Sequence, residues 1–281
     1  MEMKGKRIFN RIASLALAVV MMFTVIGVMP ADVNAATPSF KSSGKSKVTI
    51  TDDNCSYITG VDTWIKFKAK NTGYITIKAA CKSDLANDTY GYITFCDKNK
   101  KALGQADELY RTDYDDAKYY TTTYGVKKGQ TYYFQVYSRH GVTLTAYANS
   151  QKKAAGTKKA KAKTIKKNKT VKGVIIAGDK TVDWYKIKLT KSQKVKINYT
   201  AKSNGDTDYY GIKFTFCDSK GKAFTYNAYD RVNRVYPKSG MEFCLKNTAT
   251  GKKSGLKTGT YYVKVERYNK KSSGYYTLKW K

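Results

Sequence analysis

His140 is the only histidine in the chain, and imidazole is the side chain that acid–base and nucleophilic catalysis uses most often. A Ser-His-Asp or Cys-His site would therefore have to include it. It lies between two predicted strands, and the second half of the chain has no counterpart. The sequence patterns of serine hydrolases, zinc proteases and phosphate-binding loops are also missing. We therefore expect a protein that is not an enzyme, with His140 as a surface turn residue.

Acidic and amide side chains cluster before a Tyr-Gly pair in each half of the chain. Clustered oxygen ligands in a loop suit calcium, whereas Asp and Asn often cap turns by accepting hydrogen bonds from backbone amides. Turn capping is the preferred interpretation and calcium, the one cofactor considered, is the alternative. The calcium ligands would be Asp84, Asn87 and Asp88 in the first half, and Asn204, Asp206 and Asp208 in the second.

Five cysteines occur in the chain, and an odd number in an exported protein leaves at least one free or intermolecular thiol. Strand alternation places Cys217 opposite Phe216 and Cys244 opposite Phe243, so both thiols are expected to point away from the core. Cys217 and Cys244 are therefore the predicted disulfide, provided that their strands are neighbours. A strictly anaerobic source would instead leave all five reduced, and the spacing does not fit a zinc site.

Aromatic side chains beside lysines form the last group with chemical potential. The alternation that buries Ile65 and Tyr185 leaves Trp64 and Trp184 on the opposite face of their strands. Exposed rings beside polar groups can stack on sugar faces or pack against a protein such as collagen. Alternatively, such rings pair across strands and stabilise the sheet. The candidate binding residues are Trp64, Lys66, Tyr133, Tyr137, Trp184, Lys186, Tyr262 and Tyr275.

Lysine dominates the charge of the chain, which has 53 Lys and Arg residues against 21 Asp and Glu residues, a formal net charge of +32. Because lysine is a hydrated point charge without the fork of arginine, it favours diffuse attraction to polyanions over specific recognition of a phosphate. Alternatively, the lysines keep a tyrosine-rich β-protein soluble and protect its sheet edges. Nucleic acid is not an expected partner, because the chain carries an export signal.

Residues 1–35 are predicted to be that signal peptide. A basic segment precedes a long apolar run, which ends at Pro30, and Val33 and Ala35 supply the small residues that signal peptidase reads. We expect cleavage after Ala35; the alternative is an uncleaved anchor, since the run is just long enough to span a bilayer. The protein is then secreted to the extracellular space, or held at the cell surface by non-covalent contacts, with no membrane insertion after cleavage.

Short segments of alternating apolar and polar residues predict strands throughout the remaining chain. The last two, residues 259–265 and 274–280, are predicted to form a β-hairpin that closes a sheet. Residues 129–136 and 141–144 repeat this unit earlier in the chain. The side chains predicted to point inward in the first half are Ile65, Phe67, Ile75, Ile77, Ile93 and Phe95.

The two halves of the chain repeat one β-domain. Residues 47–148 form the first copy and residues 170–281 the second, after a polar lead at residues 36–46. Between the copies, residues 149–169 are rich in lysine and alanine and are predicted to be a linker extended by charge repulsion. Short strands separated by polar turns are typical of a β-sandwich or barrel. The expected fold is therefore all-β, with two tandem jelly-roll-like β-sandwich domains.

Several short motifs are shared by the two copies or close them. They are Asp62 and Trp64, Asp183-Trp184-Tyr185, Phe95-Cys96-Asp97, Phe216-Cys217-Asp218-Ser219-Lys220-Gly221, Gly259-Thr260-Tyr261-Tyr262 and Gly274-Tyr275-Tyr276-Thr277-Leu278. The pattern resembles the bacterial pre-peptidase C-terminal domain family and, more distantly, the collagen-binding domains of clostridial collagenases. The resemblance covers nearly the whole chain after the signal peptide, in two copies. It implies jelly-roll-like sandwiches, secretion and an accessory role beside an enzyme, although we expect no catalytic domain upstream of the repeats.

These observations predict a secreted, non-catalytic protein that binds polysaccharide, anionic wall polymer or matrix protein. Lysines would supply long-range attraction, and outward aromatic rings would supply short-range contact. The alternative is an accessory or structural secreted protein that assists an exported enzyme and has no ligand of its own.

Overall fold

The structure is a computed structural model that describes residues 37–81, 89–110, 120–152, 156–180, 182–204, 211–223, 240–243, 245–246 and 253–281. The predicted signal peptide lies outside these residues. Within the described ranges, no helix is long and apolar enough to cross a membrane. The chain is almost entirely β-structure, apart from one turn of helix, α1 (Ser56–Thr59), and 3₁₀ turns at Asp52–Asn54 and Lys159–Lys161.

The first half of the chain folds into two packed sheets. One has the strand order β1-β3-β8-β5-β6 and the other β2-β9-β4-β7. Their facing side chains form one apolar core, in which Phe95 and Phe134 are fully buried. The strands are β1 (Ser39–Phe40), β2 (Gly44–Ile50), β3 (Thr63–Lys68), β4 (Gly73–Cys81), β5 (Thr89–Cys96), β6 (Asp107–Tyr110), β7 (Tyr120–Val126), β8 (Thr131–Ser138) and β9 (Val142–Ser150).

The second half repeats this arrangement, with sheet orders β10-β12-β18-β14 and β11-β19-β13-β15 around a core of its own. Each copy opens with a short strand that pairs in parallel with the next strand of its sheet, β1 with β3 and β10 with β12. The repeat is therefore one of topology as well as sequence, and the predicted all-β tandem sandwich is confirmed. The strands are β10 (Lys163–Thr164), β11 (Thr170–Ile175), β12 (Asp183–Leu189), β13 (Val195–Ser203), β14 (Ile212–Cys217), β15 (Gly240–Phe243), β16 (Leu245–Lys246), β17 (Lys253–Ser254), β18 (Gly259–Arg267) and β19 (Gly274–Trp280).

The strand faces follow from alternation along the sequence. Successive side chains of a strand point to opposite faces, so a period of two separates core residues from outer ones. All six side chains predicted to point inward in the first sandwich are buried, and the matching residues of β12 are buried too. The division of side chains between core and outer face needs no information beyond the pattern, because only one face of each strand is apolar.

The predicted closing hairpin is wrong. β18 and β19 do not pair with each other: β18 lies between β12 and β14, and β19 lies between β11 and β13 in the opposite sheet. β8 and β9 are divided between two sheets in the same way. The turns between these strands therefore cross from one layer of the sandwich to the other. Alternation within a strand does not specify which sheet the next strand joins.

Chain segments outside the predicted domains also enter the sheets. The predicted lead contains β1, and its Phe40 is buried in the first core. Within the predicted linker, Gly156 forms a β-bridge with Trp184, and β10 extends the sheet beside β12. Much of the linker thus lies along the edge of the second sandwich. The exact domain boundaries stay a prediction.

The two sandwiches are in direct contact, and residues Thr37–Lys281 form one compact unit. At β7, the Gly125 backbone N–H donates to Ser273 Oγ at 3.2 Å. Its carbonyl oxygen accepts from the Ala177 backbone N–H at 3.0 Å. The rings of Tyr74 and Tyr275 pack across the same contact with their centroids 4.5 Å apart. Each sandwich therefore covers part of the other, despite the charge of the segment that joins them.

Candidate binding faces

The outer face of the β3-β8-β5 sheet carries an aromatic pair covered by a lysine, here called the first binding face. Trp64 and Tyr133 are half-buried and meet edge to face, with centroids 6.3 Å apart and planes at 78°. Lys100 Nζ lies 4.6 Å from the Trp64 ring centroid and 5.9 Å from that of Tyr133. Exposed Lys66 is directly opposite Tyr133 in the strand register. Cation and rings are thus held together at one surface.

The second sandwich carries the second binding face at the equivalent place. Trp184 and Tyr262 are 6.2 Å apart with planes at 81°, almost the same geometry as in the first copy. Lys186 is opposite Tyr262 in the register. Lys159 Nζ lies 5.5 Å from the Tyr262 ring centroid. The same three residue types, Trp, Tyr and Lys, therefore meet on both outer faces.

The two faces obtain their covering lysine from different parts of the chain. Lys100 belongs to a turn that Asp97 caps, and it adopts a left-handed backbone with φ of 62°. In the second copy Gly221 holds that position, with φ of 85°. A Cβ at Gly221 would approach the Lys159 side chain to 2.9 Å, so glycine leaves space for it. Lys159 is fixed there by donating to the Lys220 carbonyl oxygen at 2.7 Å.

The structure brings six of the eight predicted binding residues together, three on each face. Tyr137 lies further along the first face, where its ring pairs with Tyr92 at 6.2 Å. Tyr275 is the exception: it was predicted to face outward to a ligand, and it packs against Tyr74 of the other sandwich instead. Burial in this contact raises the pKa of both phenols. Alternation predicted its side of the strand, but not that a second sandwich covers that side.

Lys100 and Lys159 were not among the predicted residues. Lys100 could have been found, because it follows the Phe-Cys-Asp turn that both copies share. Lys159 gave no signal, since it is one lysine among many in the predicted linker. Its position depends on how that segment packs along the edge of the second sandwich, which local sequence does not specify.

Asn204 is the one predicted calcium ligand that lies within the described residues. It is buried, and its side-chain amide donates to the Lys271 carbonyl oxygen at 2.8 Å. Its Oδ1 accepts from the backbone N–H and the hydroxyl of Ser273, at 2.7 and 2.8 Å. Asn204 thus holds a segment that lies 69 residues further along the chain and does not cap its own turn, while calcium binding stays a prediction. The part of the chain that the structure describes holds no group of three potential metal ligands; Asp84, Asn87, Asp88, Asp206 and Asp208 lie outside it.

Cys217 is a buried thiol, and Cys244 lies outside the described residues, so the predicted disulfide between them stays a prediction. Cys217 pairs in register with Tyr262, so it lies on the outer side of its strand as alternation predicts. It is nevertheless only 1% exposed. The outer face is covered at this point, and the equivalent Cys96 beside Tyr133 is buried in the same way.

These two thiols are expected to resist thiol reagents in the folded protein. Burial raises the pKa of both Cys96 and Cys217 to about 11, and only the thiolate is an effective nucleophile. At about pH 8, site-resolved mass spectrometry after iodoacetamide treatment should therefore find both unmodified, with labelling increasing as the pH approaches that pKa. Protein unfolded in guanidinium serves as the control and should be labelled at both positions. Rapid labelling of native Cys96 near pH 8 would contradict its burial.

No family model and no curated protein matches the sequence of this chain. Among solved structures, the pre-peptidase C-terminal domain of a collagenase from Bacillus anthracis is 19% identical, with a TM-score of 0.26, over 47% of this chain and 100% of that domain. Tripeptidyl peptidase 2 is 8% identical, with a TM-score of 0.29, over 90% of this chain and 23% of the peptidase. The CBM22-1-CBM22-2 tandem domain of Paenibacillus barcinonensis Xyn10C is 10% identical, with a TM-score of 0.22, over 78% and 82%. At these scores the similarities support no inference about function, and the family resemblance stays a prediction.

Proposed function

We propose that this protein is a secreted, non-catalytic binding protein for anionic polysaccharide or another anionic wall polymer. The observation that carries the proposal is the repeated constellation of tryptophan, tyrosine and lysine on the outer face of each sandwich. A purely structural role would need no lysine at either ring pair. Two different chain segments supply that lysine, Lys100 in the first copy and Lys159 in the second.

The chemistry of the faces favours an anionic polymer over a neutral one. Lys66 and Lys100 place two cations around the rings of the first face, and Lys159 and Lys186 do so in the second. A carboxylate or phosphate group of the polymer would pair with these ammonium groups. The aromatic rings would contact the apolar side of a sugar ring or backbone. The net charge of +32 would concentrate such a polymer near the surface before contact.

A second candidate is an accessory protein with no ligand of its own. It is favoured by the same edge-to-face pairs, since a tryptophan and a tyrosine that meet across strands stabilise a sheet without any ligand. In that case the lysines would serve mainly to solubilise the outer faces. Matrix protein is the third partner considered from the sequence. It offers fewer regularly spaced anionic groups to the lysines of the two faces than an anionic polymer does.

Replacement of Trp64 by alanine, Trp184 by alanine, or both is expected to weaken binding to insoluble anionic polymers. Because two faces can engage one particle, loss of one face should lower the apparent affinity by at least about tenfold through lost avidity. The double variant should then lose nearly all retention. The measurement is a pull-down on purified cell walls and on acidic and neutral insoluble polysaccharides, at salt concentrations of about 0.05 M and about 0.5 M.

The matched control is Tyr268→Ala, which removes another exposed aromatic ring that is 39% exposed and lies outside both faces. It should bind like the wild-type protein. Binding that disappears in high salt and is unaffected by either tryptophan substitution would mean charge attraction alone. Failure of the wild-type protein to bind any of these polymers would favour the accessory role.

A further inference from the structure

The connection between β2 and β3 presents an exposed apolar surface, here called the docking loop (residues 51–62). Tyr57 is 69% exposed, Ile58 65% and Val61 63%. These three are the most exposed large apolar side chains among the residues that the structure describes. Three such side chains within five positions of one loop indicate a surface made for contact.

The docking loop is held firmly against its own sandwich. Ser56 is buried; its hydroxyl donates to the Val136 carbonyl oxygen at 3.3 Å and accepts from the Ser138 backbone N–H at 3.2 Å. The Cys55 thiol donates to the Arg139 carbonyl oxygen at 3.2 Å. The two side chains that directly precede the apolar tip are thus anchored to the end of β8 and its turn. These bonds hold the base of the loop in place while Tyr57, Ile58 and Val61 remain exposed to solvent.

The equivalent connection in the second sandwich shows what such a loop does. It follows β11, as the docking loop follows β2, and there Ile176 and Ala177 are only 7% and 8% exposed. Ala177 packs in the core cluster of the first sandwich and donates its N–H to the Gly125 carbonyl oxygen of β7. This loop therefore joins its sandwich to the edge strand of the sandwich before it.

We propose that the docking loop makes the same kind of contact with a second copy of this chain. Its receptor would be β15, which lies beside β13 in the second sandwich as β7 lies beside β4 in the first. Both copies carry a net charge of +32, and the exposed Asp52 and Asp53 of the docking loop are acidic groups that would lessen the repulsion between them at this contact.

Such a contact joins unlike surfaces of two copies, so it is repeated from chain to chain. A head-to-tail contact of this kind closes into a ring or continues as a filament. The apolar area is small, and the contact belongs to the weak class of interfaces that form at high local concentration. A chain with two binding faces would gain further faces on each added copy, which increases retention on a polymer.

The test is sedimentation velocity of the secreted protein at total concentrations from about 10 µM to about 1 mM, the range suited to weak association. The weight-average mass should rise with concentration for the wild-type protein and remain that of one chain for Ile58→Asp. Tyr268→Ser is the matched control and should associate like wild type. A benzophenone amino acid at position 57, in a mixture of isotope-labelled and unlabelled chains, should crosslink to residues 240–243 of another copy.

A wild-type protein that stays monomeric throughout this range overturns the proposal, as does an Ile58→Asp variant that associates normally. Crosslinks confined to other surfaces would overturn the assignment of β15. Binding of wild type, but not of Ile58→Asp, to vesicles of anionic phospholipid without self-association would mean that the loop contacts a membrane. The Trp64→Ala variant should associate normally, so this result and that of the polymer pull-down are independent.

Discussion

Gly125→Val is expected to separate the unfolding of the two sandwiches. A Cβ at Gly125 would lie 2.0 Å from the carbonyl oxygen of Ile175 and 2.8 Å from its carbonyl carbon. These are backbone atoms of β11, so no rotamer change relieves the overlap and the second sandwich must move away from β7. The hydrogen bonds from Gly125 to Ser273 and from Ala177 to Gly125 are then lost. Overpacking of this kind typically costs about 1–3 kcal/mol, and the lost contacts add to it.

Differential scanning calorimetry measures the effect. We expect one cooperative transition for the wild-type protein and two for the variant, because each sandwich keeps its own apolar core. The matched control is Thr121→Val, an exposed position on the same strand, which should leave a single transition. Hydrogen exchange at the Ala177 amide should accelerate only in the Gly125 variant. A variant that unfolds in one unshifted transition would show that the contact contributes little.

The strands and their inner faces could be predicted from sequence, because the alternation of apolar and polar residues indicates which side of a strand packs against the core. Ile65 and Phe67 are fully buried, as their spacing indicates, and β12 repeats the pattern at Tyr185. The outer side is less predictable, since alternation does not reveal what covers it. Cys217 and Tyr275 both lie on the predicted side, and both are covered, one at a turn and one by the other sandwich.

The contact between sandwiches had no visible sequence signal for the same reason. Asn204, Ser273 and Gly125 are residue types that ordinary turns and strand ends use. Their shared role appears only when three distant segments meet. Asn204 Oδ1 accepts hydrogen bonds from the backbone N–H and hydroxyl of Ser273, and Ser273 Oγ accepts one from the Gly125 backbone N–H. A polar cluster assigned to calcium or turn capping thus includes one residue that supports an interface. The candidate faces were predicted in part, since their strand residues follow alternation and their covering lysines do not.

Tyr276→Phe is expected to destabilise the second sandwich by about 3 kcal/mol, because it removes a donor from a buried carboxylate. Tyr276 and Asp183 are both fully buried, and the phenol donates to Asp183 Oδ2 at 2.7 Å. The Tyr185 hydroxyl oxygen lies 2.9 Å from the Tyr276 hydroxyl oxygen, within hydrogen-bond distance. Burial raises the pKa of Tyr276 well above its usual value, so the phenol remains a donor across the whole range of ordinary pH. The Tyr276 ring also leaves no room for a side chain at Gly173, which is its partner in the register of β11 and β19.

Urea unfolding at neutral pH measures this difference, with Tyr275→Phe as the matched control on the adjacent residue. That control keeps the ring contact with Tyr74 and should change the free energy of unfolding by less than about 0.5 kcal/mol. Asp183→Asn should lower the penalty of Tyr276→Phe, because a neutral amide needs its donor less than a carboxylate does. Equal losses for Tyr276→Phe in the presence and absence of Asp183 would mean that the hydroxyl stabilises the core without acting through this carboxylate. The cycle therefore separates a buried polar network, which holds β12 to β19 across the two sheets, from simple packing of the ring.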